Sequence, residues 1–168
     1  MATRGHKKDI GKGTYILVLY MGKGRFTQIG RLGRIRFKKG WYTYVGSAFG
    51  PGGLMARIKH HAMPKTTFHW HMDYLEADIR EIWISGPGAR LEHEWADFLN
   101  KTAADNIPGF GCSDCRCASH LFYFRTLAEL QTPRKIFFKS GIERLKTSDG
   151  LPDVVLGTAA PVKLYRLS

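Results

Sequence analysis

The 168-residue sequence lacks any stretch approaching about 20 consecutive apolar residues, which excludes a helical membrane span. Met1 to Gly11 is polar and charged, with neither an apolar core nor a small-residue cleavage site behind it. No secretory signal is read there, and the expected compartment is the cytoplasm, with no membrane partner. Cysteine is scarce: Cys112, Cys115 and Cys117 cannot all pair within one chain, so a disulfide framework is excluded. Internal repeats and low-complexity tracts are missing too, which removes solenoid and collagen-like architectures. Acidic residues are in short supply, 14 against 26 Lys and Arg, for a formal charge of +12. Hydrophobic residues make up 43%, so a chain of this length buries a core without staples and the basic excess belongs to a folded exterior. Such a surface attracts polyanions through steering and counterion release, which makes nucleic acid the leading partner. Charge of this kind also serves solubility or ribosome contact, so residue chemistry has to decide.

The segment Thr14 to Tyr20 is β-branched and aromatic and is bounded by Gly13 and Gly22, the pattern of a buried strand. Arg34 to Phe37 alternates like an edge strand, and Gly40 to Gly46 reads as a strand closing a hairpin with it. Gly50-Pro51-Gly52-Gly53 breaks the chain before a helix in which Leu54, Ile58 and His61 fall at helical spacing. Phe68 to Leu75 fits a short helix or a strand equally well. A strand follows at 78–84, and then a helix at 89–101 with Leu91, Trp95, Phe98 and Leu99 on one face. Leu121 to Phe124 suggests another strand. Beyond Thr126 a weak helix is read around Gly141 to Leu145, with turns at Asp149-Gly150 and Leu151-Pro152. The fold class is α+β, divided into a basic tail (1–12), a main domain that includes the Cys-rich segment (13–124) and a C-terminal extension packed on it (125–168).

Tyr15 and Tyr44 near strand ends, Arg57 and His61 on the first helix and Glu92 on the second form a set suited to cutting a phosphodiester. That reaction needs a base for water, a cation to neutralise the phosphorane charge, and a carboxylate-held metal for the leaving oxygen. Arg57 and His61 are i and i+4, so both project from one helix face and can meet one phosphate. Glu92 lies three residues before Trp95, at the border of the buried face. Glu94 has Asp97 three residues on and falls on the solvated side. Taken singly, each of these residues has an ordinary reading as a core aromatic or a surface charge.

Gly13-Thr14-Tyr15 and Tyr44-Val45-Gly46-Ser47, with Tyr44 placed 29 positions after Tyr15 and followed by Arg57 and His61, resemble the tripeptides and helix motif of the GIY-YIG endonuclease superfamily. The run His69 to Leu75 and the segment Pro108 to Tyr123 resemble motifs of its Uri-type branch, small stand-alone proteins sometimes fused to a base-excision glycosylase. The resemblance spans roughly Gly13 to Phe124. It implies a three-stranded antiparallel sheet flanked by helices, and DNA cleavage with Mg²⁺ or Mn²⁺ in repair or in processing of branched or single-stranded DNA. RNA stays open as a substrate, a repair glycosylase is an implied functional partner, and the alternative reading is a non-catalytic nucleic-acid-binding adaptor on the same fold. By matching positions, Tyr44 or Tyr15 activates water with Tyr44 preferred, Arg57 holds the phosphate, His61 assists proton transfer and Glu92 binds the metal.

Two further clusters have both chemical and structural readings. His69, His71 and Asp73 alternate, so in an extended segment they would share a face and could bind a metal; with Trp70 and Tyr74 interleaved they fit capping a helix equally well. His69 is also a candidate phosphate contact. Cys112-x2-Cys115-x-Cys117-x2-His120 offers four soft donors that could wrap a Zn²⁺, or else reduced thiols in a tight turn. The basic residues Arg25, Arg34, Arg36, Lys38 and Lys39, with Phe26, Phe37, Trp41 and Tyr42 among them, precede Tyr44 directly and are read as a nucleic-acid surface, joined by Ser47 and Lys59. Arg4, Lys7, Lys8, Arg134, Lys135 and Lys139 carry further positive charge.

Overall fold

A computed structural model describes residues 11–138 and the strand backbone at 142–145 and 154–157. The elements, in order, are β1 (Gly13–Met21), β2 (Arg25–Ile29), β3 (Gly33–Phe37), β4 (Gly40–Ala48), α1 (Gly53–Ala62), β5 (Asp78–Ile84), α2 (Glu92–Thr102), β6 (Asp105–Asn106), β7 (Leu121–Phe124), α3 (Leu127–Phe137), β8 (Ile142–Leu145) and β9 (Val154–Gly157). The fold is α+β. Its main sheet runs β6-β7-β4-β1-β5-β9-β8, and the first five of these strands pair antiparallel while β9 lies parallel to β5.

The period of two along β1 divides the core in two. Tyr15, Leu17, Leu19 and Met21 face one side with Leu54 and Ile58 of α1, Ile29, Phe37 and Phe110. Ile16 and Val18 face the other with Trp83, Trp95 and Leu99, and with Leu130 and Phe137 of α3. The helices therefore cover opposite faces.

Four expectations are corrected. The sheet has seven strands rather than three; the β4-β1-β5 centre is extended on one side by β7 and on the other by β9. Arg34 to Phe37 does not form a hairpin with the strand after it: β3 pairs with β2, with Arg25 opposite Phe37, while β4 pairs with β1, with Tyr15 opposite Gly46. Nine-residue β1 and β4 bury both faces and so outcompete the short, half-exposed β3 for each other. Residues 142–145 are strand rather than helix, and the helix lies earlier, in α3. Its start is fixed by Thr126, whose hydroxyl accepts from the Glu129 N–H. The turns read at Asp149-Gly150 and Leu151-Pro152, and the basic residues Arg4, Lys7, Lys8 and Lys139, lie outside the described residues. The second helix begins at Glu92, three residues later than read.

Candidate active site

The glycines of the two tripeptides are there for space. A Cβ on Gly46 would sit 2.4 Å from Tyr15 Oη, because the Tyr15 ring folds over its cross-strand partner. A Cβ on Gly13 would sit 2.7 Å from Ser85 Oγ, which accepts from Thr14 N. The Thr14 hydroxyl accepts from Leu91 N at 2.9 Å and donates to Ala89 O at 3.0 Å. Strand β1 thereby anchors the residue before α2, and with it Glu92 at that helix's first position.

Ahead of α1 the chain turns through Gly52 and Gly53, with φ of 78° and 56°; a Cβ on Gly53 would meet Gly11 O at 2.4 Å. The tight turn seats α1 beside Tyr15 and Tyr44. Tyr15 Oη lies 2.8 Å from His61 Nε2, and the Tyr15 and Tyr44 rings are 6.4 Å apart. Burial, then the neighbouring Tyr44, raises the Tyr15 hydroxyl well above its ordinary range, and burial, then Glu92, raises Tyr44; Arg57 works against both. Burial lowers His61 to about 3, assisted by Lys65 and His60, so its ring is neutral. Both tyrosines therefore hold their protons, and the Tyr15 hydroxyl can donate to Nε2 in the His61 tautomer that leaves that nitrogen free.

A cleft of about 280 Å³ is lined by Tyr15, Tyr44, Ser47, Arg57, His69 and Glu92, among others. His61 does not line it. Where one phosphate contact is expected for both His61 and Arg57, the structure sets Arg57 on the cleft and His61 Nε2 against the Tyr15 hydroxyl. Arg57 lies 4.1 Å from the centre of the half-exposed Trp70 ring, a cation–π contact that holds the guanidinium at the rim. Glu92 is half-buried. Burial alone would raise its carboxyl, but hydrogen bonding from His120 and Ser47 outweighs this and holds it below the usual range, so it is ionised at neutral pH. Glu94 is exposed and does not line the cleft.

His69, His71 and Asp73 do not share a face. His71–Tyr74 forms a 3₁₀ turn, and buried Asp73 accepts from the N–H groups of His69 and Trp70 while contacting His60 Nε2 at 2.9 Å. The carboxylate is spent on capping. His71 Nδ1 accepts from Gly111 N at 2.9 Å and ties this turn to the Cys-rich loop.

That loop connects β6 to β7 and is closed at its base by Gly109 N–H to Ala118 O, with His120 held between Phe110 and Val45 by backbone bonds. It gathers His93 of α2 with Cys115, Cys117 and His120, whose donor atoms all lie within 4.8 Å of one another, so this cluster can hold a metal ion. Cys112, expected in the set, is replaced by His93: its thiol is turned toward Phe110 O at 3.4 Å, and burial followed by Cys115 pushes it up to about 12. His93 was missed because its sequence separation from the cysteines hides it; only α2 packing on the sheet brings it near.

The expected nucleic-acid residues divide. Ser47 and His69 line the cleft, whereas Arg34, Arg36, Lys38, Lys39 and Lys59 are exposed outside it. Arg25 is paired with Glu76, and Lys38 is 2.9 Å from Asp105. The tip of the β2-β3 hairpin packs on Tyr74 and on the start of the Cys-rich loop, since a Cβ on Gly30 would lie 3.8 Å from the Tyr74 ring and one on Gly109 would lie 3.3 Å from Leu32. Among the described residues, no helix is long and apolar enough to cross a membrane.

A family model described as a domain of unknown function, DUF123, matches residues 14–141. No curated protein matches the chain and no solved structure does.

Proposed function

The chain belongs to the DUF123 family, and from the cleft that its matched residues build we propose that it is a metal-dependent endonuclease of the GIY-YIG type acting on DNA. The observation that carries the reading is the convergence of two protonated tyrosines, a cation and an ionised carboxylate on one cleft, with neutral His61 bonded to Tyr15. Arg57 binds and orients the scissile phosphate and neutralises charge gathering on it. Tyr15 donates to His61 and so keeps its lone pairs turned to accept from water. The proton that water gives up passes to Tyr15 as Tyr15 passes its own to neutral His61 Nε2, while Tyr44, which keeps its proton, orients the water by hydrogen bonding rather than serving as the base.

Glu92 suits a hard divalent cation: it is ionised, stands at the cleft wall and is one carboxylate, the protein contribution from which Mg²⁺ or Mn²⁺ commonly builds a site together with water and phosphate oxygens. That ion, when bound, supplies stabilisation of the leaving oxygen. The mixed sulfur and imidazole donors of the second cluster suit Zn²⁺. The chain's net charge of +12 favours a polyanion, as a nucleic acid is, and the exposed hairpin charges give a surface for its backbone. We place the activity in repair, or in processing of branched or single-stranded DNA, in the cytoplasm and alongside a base-excision glycosylase.

The test is cleavage of labelled duplex, nicked, branched and single-stranded DNA, and matching RNA, with Mg²⁺ or Mn²⁺ and with chelator. Metal-dependent nicking is expected, lost in Arg57→Ala and Glu92→Ala. Salt-sensitive binding without cutting on every substrate would overturn the catalytic reading, and retained cutting in both variants would overturn the site.

A further inference from the structure

We infer that His93, Cys115, Cys117 and His120 bind one zinc ion, and that His120 carries this ion's orienting influence to Glu92, making the zinc a positioning device for the cleft. The second half rests on the reading of Glu92 as the cation-holding carboxylate.

The donor geometry comes first. Zinc bonded to sulfur at about 2.3 Å and to nitrogen at about 2.0–2.1 Å in a tetrahedron places neighbouring donors roughly 3.3–3.8 Å apart. Here His93 Nδ1 lies 3.1 Å from Cys117 Sγ, and Cys115 Sγ lies 3.4 Å from His120 Nε2. All four donors fit within 4.8 Å, so small side-chain movements suffice to close them on one ion. Two thiols and two imidazoles in a closed set match a structural zinc centre. The set also joins elements otherwise weakly linked: His93 comes from α2, the cysteines from the loop, and His120 from the threshold of β7.

The second step is the far side of the His120 ring. Its Nε2 faces Cys115, so a metal bound there leaves the proton on Nδ1. Nδ1 is buried and lies 3.4 Å from Glu92 Oε1, the contact that helps to lower this carboxyl. A buried N–H beside a carboxylate, behind a ligating imidazole, is the arrangement of carboxylate, histidine and metal in which the outer carboxylate fixes the ring and the ring fixes the carboxylate. The His120 backbone is fixed by its N–H to Phe110 O and by its carbonyl, which accepts from Val45 N, and its side chain is enclosed at 2% exposure. One Glu92 oxygen is thus held toward the zinc centre while the side chain also lines the cleft.

The experiment measures zinc rather than cleavage. Full-length protein purified under reducing conditions is analysed by plasma mass spectrometry, and metal-stripped protein is titrated with Zn²⁺ against a chelator in Mg²⁺-free buffer. The wild type is expected to carry one zinc per chain. Cys115→Ser and His93→Ala lose it, and Cys112→Ser keeps it. Glu92→Gln retains the ion with an affinity about 10- to 100-fold weaker, the usual cost of losing an outer carboxylate. Cobalt(II) added to the unmodified chain tests the site without any substitution, through its thiolate charge-transfer absorption. Absence of both zinc and a cobalt–thiolate band in the wild type overturns the site. Loss of zinc in Cys112→Ser with retention in His93→Ala overturns the ligand set, and an unchanged zinc affinity in Glu92→Gln overturns the link. These readouts hold whether or not the chain cuts DNA, so failure here is distinct from failure of the nuclease reading.

Discussion

Replacing Gly46 by alanine probes the tyrosine placement directly. Gly46 stands opposite Tyr15 in the β1-β4 register, and a methyl there would lie 2.4 Å from Oη and 2.5 Å from Cζ. Carbon atoms rest about 3.5–4.0 Å apart, so the ring must retreat by roughly 1 Å. It has little room, being 2% exposed and set between Tyr44 at 6.4 Å and His61 at 5.7 Å. Overpacking of this kind costs about 1–3 kcal/mol. At about 2–4 °C per kcal/mol for a chain of this size, Tm should fall by roughly 2–12 °C. The same retreat draws Oη away from His61 Nε2, now at 2.8 Å, and a misplacement of about 1 Å lowers turnover by about 100-fold. Gly50→Ala is the control, since no atom lies within 4 Å of its Cβ; its stability should stay within about 0.5 kcal/mol of wild type. Calorimetry and single-turnover nicking supply the measurements. A Gly46→Ala protein with wild-type Tm and wild-type nicking rate would refute the argument that the glycine exists to admit the tyrosine.

Acid should destabilise the fold through His61. The unfolded chain takes up this proton near pH 6.5, whereas folded His61 takes it only near 3. Its contribution is complete above about pH 6.5 and is lost as pH falls toward 3, at up to about 1.4 kcal/mol per pH unit. Melts of wild type and His61→Gln between pH 7 and 4 should therefore converge as pH falls; a constant gap would count against the neutral, buried ring. On the hairpin, Arg34→Ala and Arg36→Ala should each reduce the slope of log affinity against log salt by about 1 if they contact phosphates. Lys38, already paired with Asp105, should change it less, and wild-type slopes in all three variants would remove the hairpin from the interface.

The strand tripeptides were legible because local chemistry and spacing carry them: Gly13 and Gly46 are small where a ring or hydroxyl presses on the backbone, and α1 follows from its apolar spacing. Strand pairing was not legible in the same way. The alternation in Arg34 to Phe37 marks a strand but not its partner, which longer, fully buried strands decide from afar. Helix α3 was missed because Pro133 sits inside it and breaks the expected pattern. Thr126 and Glu129, at capping spacing, were the signal that could have found it. Glu92 could be preferred over Glu94 from helical phase alone. His93 could not be joined to Cys115 and Cys117, because nothing local to α2 announces what the β6-β7 connection will bring beside it.

The Cys-rich loop leaves from one strand and returns into its immediate antiparallel neighbour, and it is closed at its own base by Gly109 and Ala118. Excising it therefore calls for no re-threading: a short hairpin turn could rejoin β6 and β7 while β1, β4 and α1 kept their order. In modular terms, the tyrosines, Arg57 and Glu92 belong to a transferable scaffold, and the loop is a cassette that can be shortened, exchanged or grafted onto it. A minimised chain would keep every cleft residue drawn from β1, β4, α1 and α2, and would lose the one contact, from His120, through which the cassette reaches the carboxylate.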